Sequence, residues 1–373
     1  MKMFASHQLF DPLSPSARDA YATASSLVPL KSLRQSFLEE LFSQVVVHNI
    51  GVGEVIFDCD TVDNQYVYLH SGSARLEYPS GHVEVVDAQS QFLPLEHAQP
   101  RKCRAVAASD CTLIRIDEDQ LDQTLSWSQM VDFLISEFAI NRDFDQDMEF
   151  MQTVLNSNLF FKVPSVNAEQ IFSKLIPMSV EEGEMIIKEG DAGNCCYFIK
   201  EGSADVFRDQ QKIAEILPGR CFGEDALVND KPRNATIVMS SDGVLMRLEK
   251  EDFALLLREP DIEEVNESDL SSLSSPVLID VRTEDEYQLG HLAFSANCPL
   301  GLLAMKKRLL SSENLYVFYC DSGRRSRAAA YFLGKEGYNV VALAGGITGQ
   351  NLGDRLVVES GYVLRNGALV PSV

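Results

Sequence analysis

Residues 221–237 read Cys221-Phe222-Gly223-Glu224-Asp225-Ala226-Leu227-Val228-Asn229-Asp230-Lys231-Pro232-Arg233-Asn234-Ala235-Thr236-Ile237. A Phe-Gly-Glu turn is joined to a Pro-Arg-Asn-Ala-Thr segment, which places one carboxylate and one guanidinium at opposite ends of a short helical turn. Arg233 offers a planar fork of N–H donors suited to a bidentate grip on a phosphate, and Glu224 can accept a hydrogen bond from a ribose hydroxyl. Gly223 lets the backbone approach a ligand, and the N–H groups that open a turn at Asp225, Ala226 and Leu227 favour an anion. Phe222, Asn234, Ala235 and Thr236 complete the candidate ligand-binding set.

Working outward, the text around this stretch has an earlier copy. Gly53-Glu54-x-Ile56 aligns with Gly183-Glu184-x-Ile186, and Gly72-Ser73-Ala74 with Gly202-Ser203-Ala204, each pair 130 residues apart. Pro100-Arg101 meets Pro232-Arg233, and Asp110 to Arg115 meets Asp242 to Arg247, at an offset of 132. Two copies of one domain are expected. Phe92 aligns with Phe222, but Leu93 and Pro94 stand where the second copy has Gly223 and Glu224. The first copy therefore keeps a phosphate arginine, Arg101, without the ribose carboxylate, and reads as a degenerate, structural or dimer-forming module.

The 221–237 pattern resembles the phosphate-binding cassette of the cyclic nucleotide-binding domain family. The resemblance implies a small barrel or jelly roll with flanking helices and a cyclic nucleotide, cAMP or cGMP, as regulatory ligand. Short β-branched and aromatic runs separated by Gly, Asp, Asn and Ser turns after Val45 agree with an antiparallel barrel. Asn234 suits either a purine edge or the phosphate, so adenine against guanine stays open, and Asp225 adds negative charge beside the phosphate position.

Composition sets the outer bounds. The 373 residues carry a net charge of −23, which argues against DNA or an anionic membrane as partner, since phosphate surfaces are gripped by clustered Lys and Arg. Eight cysteines form no Cys-x-x-Cys pair and no metal-ligand spacing with the six histidines, so no metal is expected. A reducing cytoplasm is the simplest location. Residues 1–26 have charges and prolines in place of an apolar leader, and no run approaches 18 apolar residues, so neither export nor membrane spanning is expected. Vicinal Cys195-Cys196 reads as small hydrophobes in a strand, and Trp127 as packing.

The organisation follows in order. Residues 1–26 read as an irregular lead-in, and 27–155 as the degenerate copy with linking helices: one at 27–42, others through Val131 to Phe138 and Phe144 to Leu155. Residues 156–258 form the second copy, from Leu159-Phe160 to a terminal helix at Glu251 to Leu257. Residues 259–275 are acidic and serine-rich, a solvated connector. From 276 to 373 apolar strands such as Val277 to Val281 and Leu315 to Tyr319 alternate with helices, one around Leu302 to Leu310, which indicates a parallel α/β sheet.

The second of those strands runs into Cys320-Asp321-Ser322-Gly323-Arg324-Arg325-Ser326-Arg327 and then a helix from Ala328 to Leu333. A cysteine at a strand's end, facing loop amides and a helix start, is expected to have a lowered thiol pKa, and Arg324, Arg325 and Arg327 would make a basic pocket for an anionic substrate. The segment resembles the rhodanese family through Ile279-Asp280-Val281-Arg282, Gly290-His291, the Cys-x-x-Gly-x-Arg loop and Leu343-Ala344-Gly345-Gly346-Ile347. Asp280 and Arg282 support the site. The resemblance implies that Cys320 becomes a persulfide cradled by Asp321 to Arg325, with Arg325 closing the loop. Cysteine phosphatases instead need Arg six places after the Cys, where Ser326 stands. Gln350 departs from the Trp that many rhodaneses have.

The sequence thus predicts a multidomain chain: two β-barrel cyclic nucleotide-binding domains, the first degenerate, then an α/β rhodanese domain with a parallel sheet. The function it implies is cyclic-nucleotide-responsive sulfur transfer from thiosulfate or a persulfide donor to a thiol or cyanide, with which a homodimer is compatible; the alternative is a regulatory protein whose rhodanese domain is a noncatalytic interaction module. If the linker acids Glu263, Glu264 and Glu267 occluded the basic pocket, nucleotide binding would relieve it.

Overall fold

The structure, a computed structural model, describes residues 15–141, 148–155, 163–224, 227, 232–358 and 361–371. The expectations for Phe144, Leu159, Phe160, Asp225 and Ala226 lie outside them. The described residues divide into two compact units: one holds Met130–Asp261, and the other joins the chain up to Gln129 with Ile262 onward.

Part of the expected lead-in is helical: α1 (Pro15–Ala24) is alanine-rich, buries Ala20 and Ala24 completely, and sets Tyr21 edge-on to Phe42 at 5.9 Å. The single helix expected over 27–42 is instead interrupted. Pro29 disfavours helical geometry for the residue before it, a 3-10 turn spans Leu30–Ser32, Leu33 and Arg34 are extended, and α2 (Gln35–Gln44) begins afresh.

The first barrel follows as β1 (Val46–Ile50), β2 (Val55–Phe57), β3 (Gln65–Ser71), β4 (Ser73–Glu77), β5 (Val83–Asp87), β6 (Arg104–Ala107) and β7 (Cys111–Asp117). They form two antiparallel sheets, ordered β1-β7-β3 and β2-β6-β4-β5, around a core that includes Val67, Leu69, Leu76, Leu95 and Leu113. The long helix α3 (Glu118–Asn141) comes next, and the division between the units falls within it. Trp127 is buried in this helix.

Beyond α4 (Met148–Leu155) and α5 (Ala168–Lys174), the second barrel repeats the scheme. Its strands are β8 (Ile176–Val180), β9 (Met185–Ile187), β10 (Cys195–Glu201), β11 (Ala204–Arg208), β12 (Gln211–Ile216), β13 (Cys221–Phe222), β14 (Thr236–Met239) and β15 (Gly243–Glu249), followed by α6 (Lys250–Leu256). The sheets are β13-β10-β15-β8 and β12-β11-β14-β9. The repeated Gly-Ser-Ala has a backbone reason. Gly72 and Gly202 have φ of +85° and +87°, and a Cβ there would lie 2.3 Å from the Asp110 carbonyl and 2.6 Å from that of Asp242. Asn167 ties α5 to the end of the barrel, donating to the carbonyls of Leu256 and Arg258 at 2.8 and 2.7 Å.

The acidic segment expected as a solvated connector is folded. β16 (Glu264–Val265) pairs in parallel with β21 (named below), a 3-10 turn spans Glu267–Ser272, and Val265, Leu270 and Leu273 pack on the domain core. The remaining elements are β17 (Val277–Asp280), α7 (Glu284–Leu289), β18 (His291–Leu292), β19 (Ser295–Asn297), α8 (Leu303–Lys306), β20 (Tyr316–Tyr319), α9 (Arg324–Lys335), β21 (Val340–Leu343), α10 (Gly346–Gly349), β22 (Leu356–Val357), β23 (Tyr362–Arg365) and β24 (Ala368–Pro371). The helix expected around Leu302–Leu310 is short α8 between two 3-10 turns. The main sheet runs β16-β21-β20-β17-β19-β23-β24 and is parallel except for the β23–β24 hairpin. Among the described residues no helix is long and apolar enough to cross a membrane.

Candidate functional site

Cys320 follows β20 directly, and α9 starts at Arg324, four residues earlier than the expected Ala328. Gly323 is the left-handed residue that turns the loop into the helix, at φ +95°, and its N–H points at Cys320 Sγ from 3.2 Å. Ser326 Oγ lies 3.7 Å from the same sulfur, on the first turn of the helix. The Gly345-Gly346 turn braces the loop from behind: Ile347 N–H donates to the Cys320 carbonyl and Thr348 N–H to that of Asp321, both at 2.9 Å. A Cβ on Gly346 would come within 2.3 Å of the Cys320 carbonyl, so the turn can approach this closely only as glycine. Gln350, at the position where many rhodaneses have Trp, bridges Glu267 N–H and the Ala344 carbonyl.

The arginines do not stand as an open basic pocket. Arg325 is fully buried and grips Glu286 with two bonds of 2.9 Å, with Asp321 at 3.1 Å. Arg282 grips Asp280 from the adjoining strand end and reaches Asp321 at 3.0 Å and the Gly290 carbonyl at 2.6 Å. Arg327 pairs with Glu264 at 2.6 Å. Arg324 pairs with Asp122 at 2.8 Å and with Asp119, both from the start of α3. Asp122 also accepts the Ser322 hydroxyl. Of the linker acids, Glu264 pairs with Arg327 and Glu267 with Arg355, while the carboxylates on Arg324 and Ser322 come from the first barrel's own helix.

This arrangement reverses the expected thiol chemistry. Cys320 is completely buried, and burial pushes its thiol up; the nearby carboxylates Asp122 and Asp321 add to that, while Arg325 opposes it. Burial likewise lifts Asp321 to about 6, with Arg282 and Arg325 opposing and Glu286 and Asp122 adding. For Glu286 burial is outweighed by the Arg325 and Arg282 charges, which hold it down to about 2. Glu286 was not singled out in the sequence; it completes a capping box with Thr283 at the start of α7, a Thr-x-x-Glu spacing that could have located it.

In the second barrel Gly223 and Arg233 meet. Arg233 donates to the Gly223 carbonyl at 2.8 Å and to the Cys195 carbonyl at 2.9 Å, and a Cβ on Gly223 would lie 2.6 Å from that guanidinium. Both acceptors are backbone oxygens with which a phosphate can compete. Leu227 N–H donates to the Glu224 carbonyl, closing the turn after β13. Phe222 and Ala235 are buried, Asn234 is exposed, and the Thr236 hydroxyl accepts Glu189 N–H at 3.0 Å.

The first barrel spends its arginine differently. Arg101 is fully buried, pairs with Asp63 at 2.7 Å, donates to the carbonyls of Gln65, Leu95 and Glu96, and lies 4.4 Å over the Phe57 ring. The guanidinium is thus engaged by the protein's own oxygens.

Residues 177–259 match the cyclic nucleotide-binding domain model and residues 266–351 the rhodanese-like domain model, so the chain carries both domains. A cAMP-dependent protein kinase regulatory subunit of Eremothecium gossypii is 33% identical over 113 residues, 30% of this chain and 25% of that protein. A cGMP-dependent protein kinase of Plasmodium berghei is 33% identical over 26% of this chain and 11% of its own length. The chain thus spans a quarter or less of these two relatives. The regulatory subunit of Yarrowia lipolytica is 26% identical over 68% of this chain and 70% of its own. Among solved structures, the regulatory domain of Toxoplasma gondii PKA with cAMP covers 67% of this chain and 95% of its own at 16% identity and a TM-score of 0.28.

Proposed function

We propose that the chain is a cyclic-nucleotide-responsive sulfurtransferase. The Gly323 N–H aimed at Cys320 Sγ, within a loop closed by the Arg325–Glu286 pair, is the observation that carries the reading. In the proposed reaction the Cys320 thiolate attacks the outer sulfur of thiosulfate. The S–S bond breaks, sulfite leaves with the bonding pair, and the Cys320 persulfide remains, its terminal sulfur accepting hydrogen bonds from the loop amides. A thiolate or cyanide then attacks that terminal sulfur, forming a persulfide or thiocyanate and returning the Cys320 thiolate. Asp280 and Arg282 hold the strand end, and Asp321, Ser322, Arg324 and Arg325 shape the cradle.

The nucleotide, cAMP or cGMP, occupies the second barrel only. Arg233 takes its phosphate and Glu224 its ribose hydroxyl, while the first barrel's buried Arg101 is already paired with Asp63 and with three backbone carbonyls. Relatives named as cAMP- and cGMP-dependent kinase components support a cyclic nucleotide without choosing the base. A second reading, a noncatalytic rhodanese module, draws on the burial of Cys320. Thiosulfate consumption with cyanide as acceptor, assayed with and without each nucleotide, tests both: no turnover in any condition removes the enzymatic reading.

A further inference from the structure

The rhodanese loop is covered by a surface from far away in the chain, and the cover is chemically matched to it. Asp119 and Asp122, spaced i and i+3, share one face at the start of α3 and both reach Arg324. Asp122 is nearly buried. One of its oxygens takes the Ser322 hydroxyl and the Arg324 guanidinium; the other has no hydrogen-bond partner among the described residues and lies 3.8 Å from Arg325. A carboxylate therefore sits on the loop's outward donors, where an anionic sulfur donor would have to dock, and Cys320 beneath it has no exposed surface. Two further ion pairs join the same two domains through residues outside the loop: Lys31–Asp285 at 2.8 Å and Lys102–Asp354.

We propose that the degenerate first barrel is a gate for the rhodanese loop, with Asp122 acting as a built-in anion that must leave before a sulfur donor or acceptor reaches Cys320. This gives the domain without a nucleotide site a task. It deepens the sulfurtransferase reading in purpose, but its test does not depend on turnover.

The test is the rate at which iodoacetamide alkylates Cys320 in the full chain, followed by peptide mass mapping, with buried Cys298 as the folding control. Asp122→Asn removes a charge-assisted contact and should speed labelling by about ten- to a hundredfold. Because that change also alters the charge beside the thiol, a second variant is needed: Lys31→Glu/Lys102→Glu loosens the same interface from exposed positions outside the loop, and should speed labelling a few-fold. Acceleration in both, with Cys298 still protected, supports the gate. Wild-type rates in either variant overturn it, since an effect confined to Asp122→Asn would be local thiol chemistry. A loss of turnover in all proteins would count against sulfur transfer and leave this comparison intact.

Discussion

Asp122 and Arg324, 202 positions apart in the chain, form a 2.8 Å ion pair that brings the first turns of two helices together over Cys320. The contact accounts for a cradle whose arginines are all paired, in a chain whose loop sequence reads as an open basic pocket.

The Arg325–Glu286 pair is the buried clasp of the cradle. Glu286→Gln leaves the fully buried guanidinium with Asp321 as its near carboxylate, and breaking such a pair costs about 3–5 kcal/mol. Denaturant unfolding followed by the fluorescence of the single tryptophan, Trp127, should show a loss toward the lower end of that range. A midpoint equal to wild type would mean that the pair contributes nothing net.

The pH dependence has a definite sign. Asp321 binds its proton more tightly when folded, at about 6, so its contribution to stability is present below the ordinary carboxylate range and is lost as pH rises through 6. Glu286, held near 2, acts oppositely: its contribution is present above its ordinary range and lost as pH falls toward 2. Asp321→Asn should therefore gain stability relative to wild type between pH 5 and pH 7. A constant difference across that window would contradict the assigned titration.

Nucleotide should bind once per chain. Arg233→Ala should weaken it by about ten- to a hundredfold, the loss expected for a charge-assisted bond. Arg101→Ala should leave affinity unchanged and lower stability, because it removes the ion-pair partner of Asp63 and a donor to two loop carbonyls. Calorimetry showing two equal sites would remove the distinction between the barrels.

Much of this was legible in the sequence because it is local. The Gly-Ser-Ala repeat, the Cys-x-x-Gly-x-Arg loop and the alternation of apolar strands with helices are short-range signals, and each names a backbone requirement such as the left-handed Gly72 and Gly202. What was hidden is long-range. The loop's local text shows three arginines, but their carboxylates lie on α3, α7 and β16, so a lowered thiol pKa was expected where burial raises it. Glu264 and Glu267 read as solvated acids; the neighbouring Val265 and Leu270 bring that segment onto the sheet, where Glu264 pairs with Arg327 and Glu267 with Arg355. Glu264→Gln should accordingly leave Cys320 labelling unchanged, whereas an increase would restore the linker as the occluding element.

The central claim is that Cys320 accepts sulfur. Intact mass and peptide mapping after incubation with thiosulfate, in the presence of saturating cAMP or cGMP, test it most directly. The account predicts one added sulfur, on the Cys320 peptide, removed by cyanide with release of thiocyanate and absent in Cys320→Ser. An unmodified Cys320 under all nucleotide conditions, or the same added sulfur in Cys320→Ser, would contradict it.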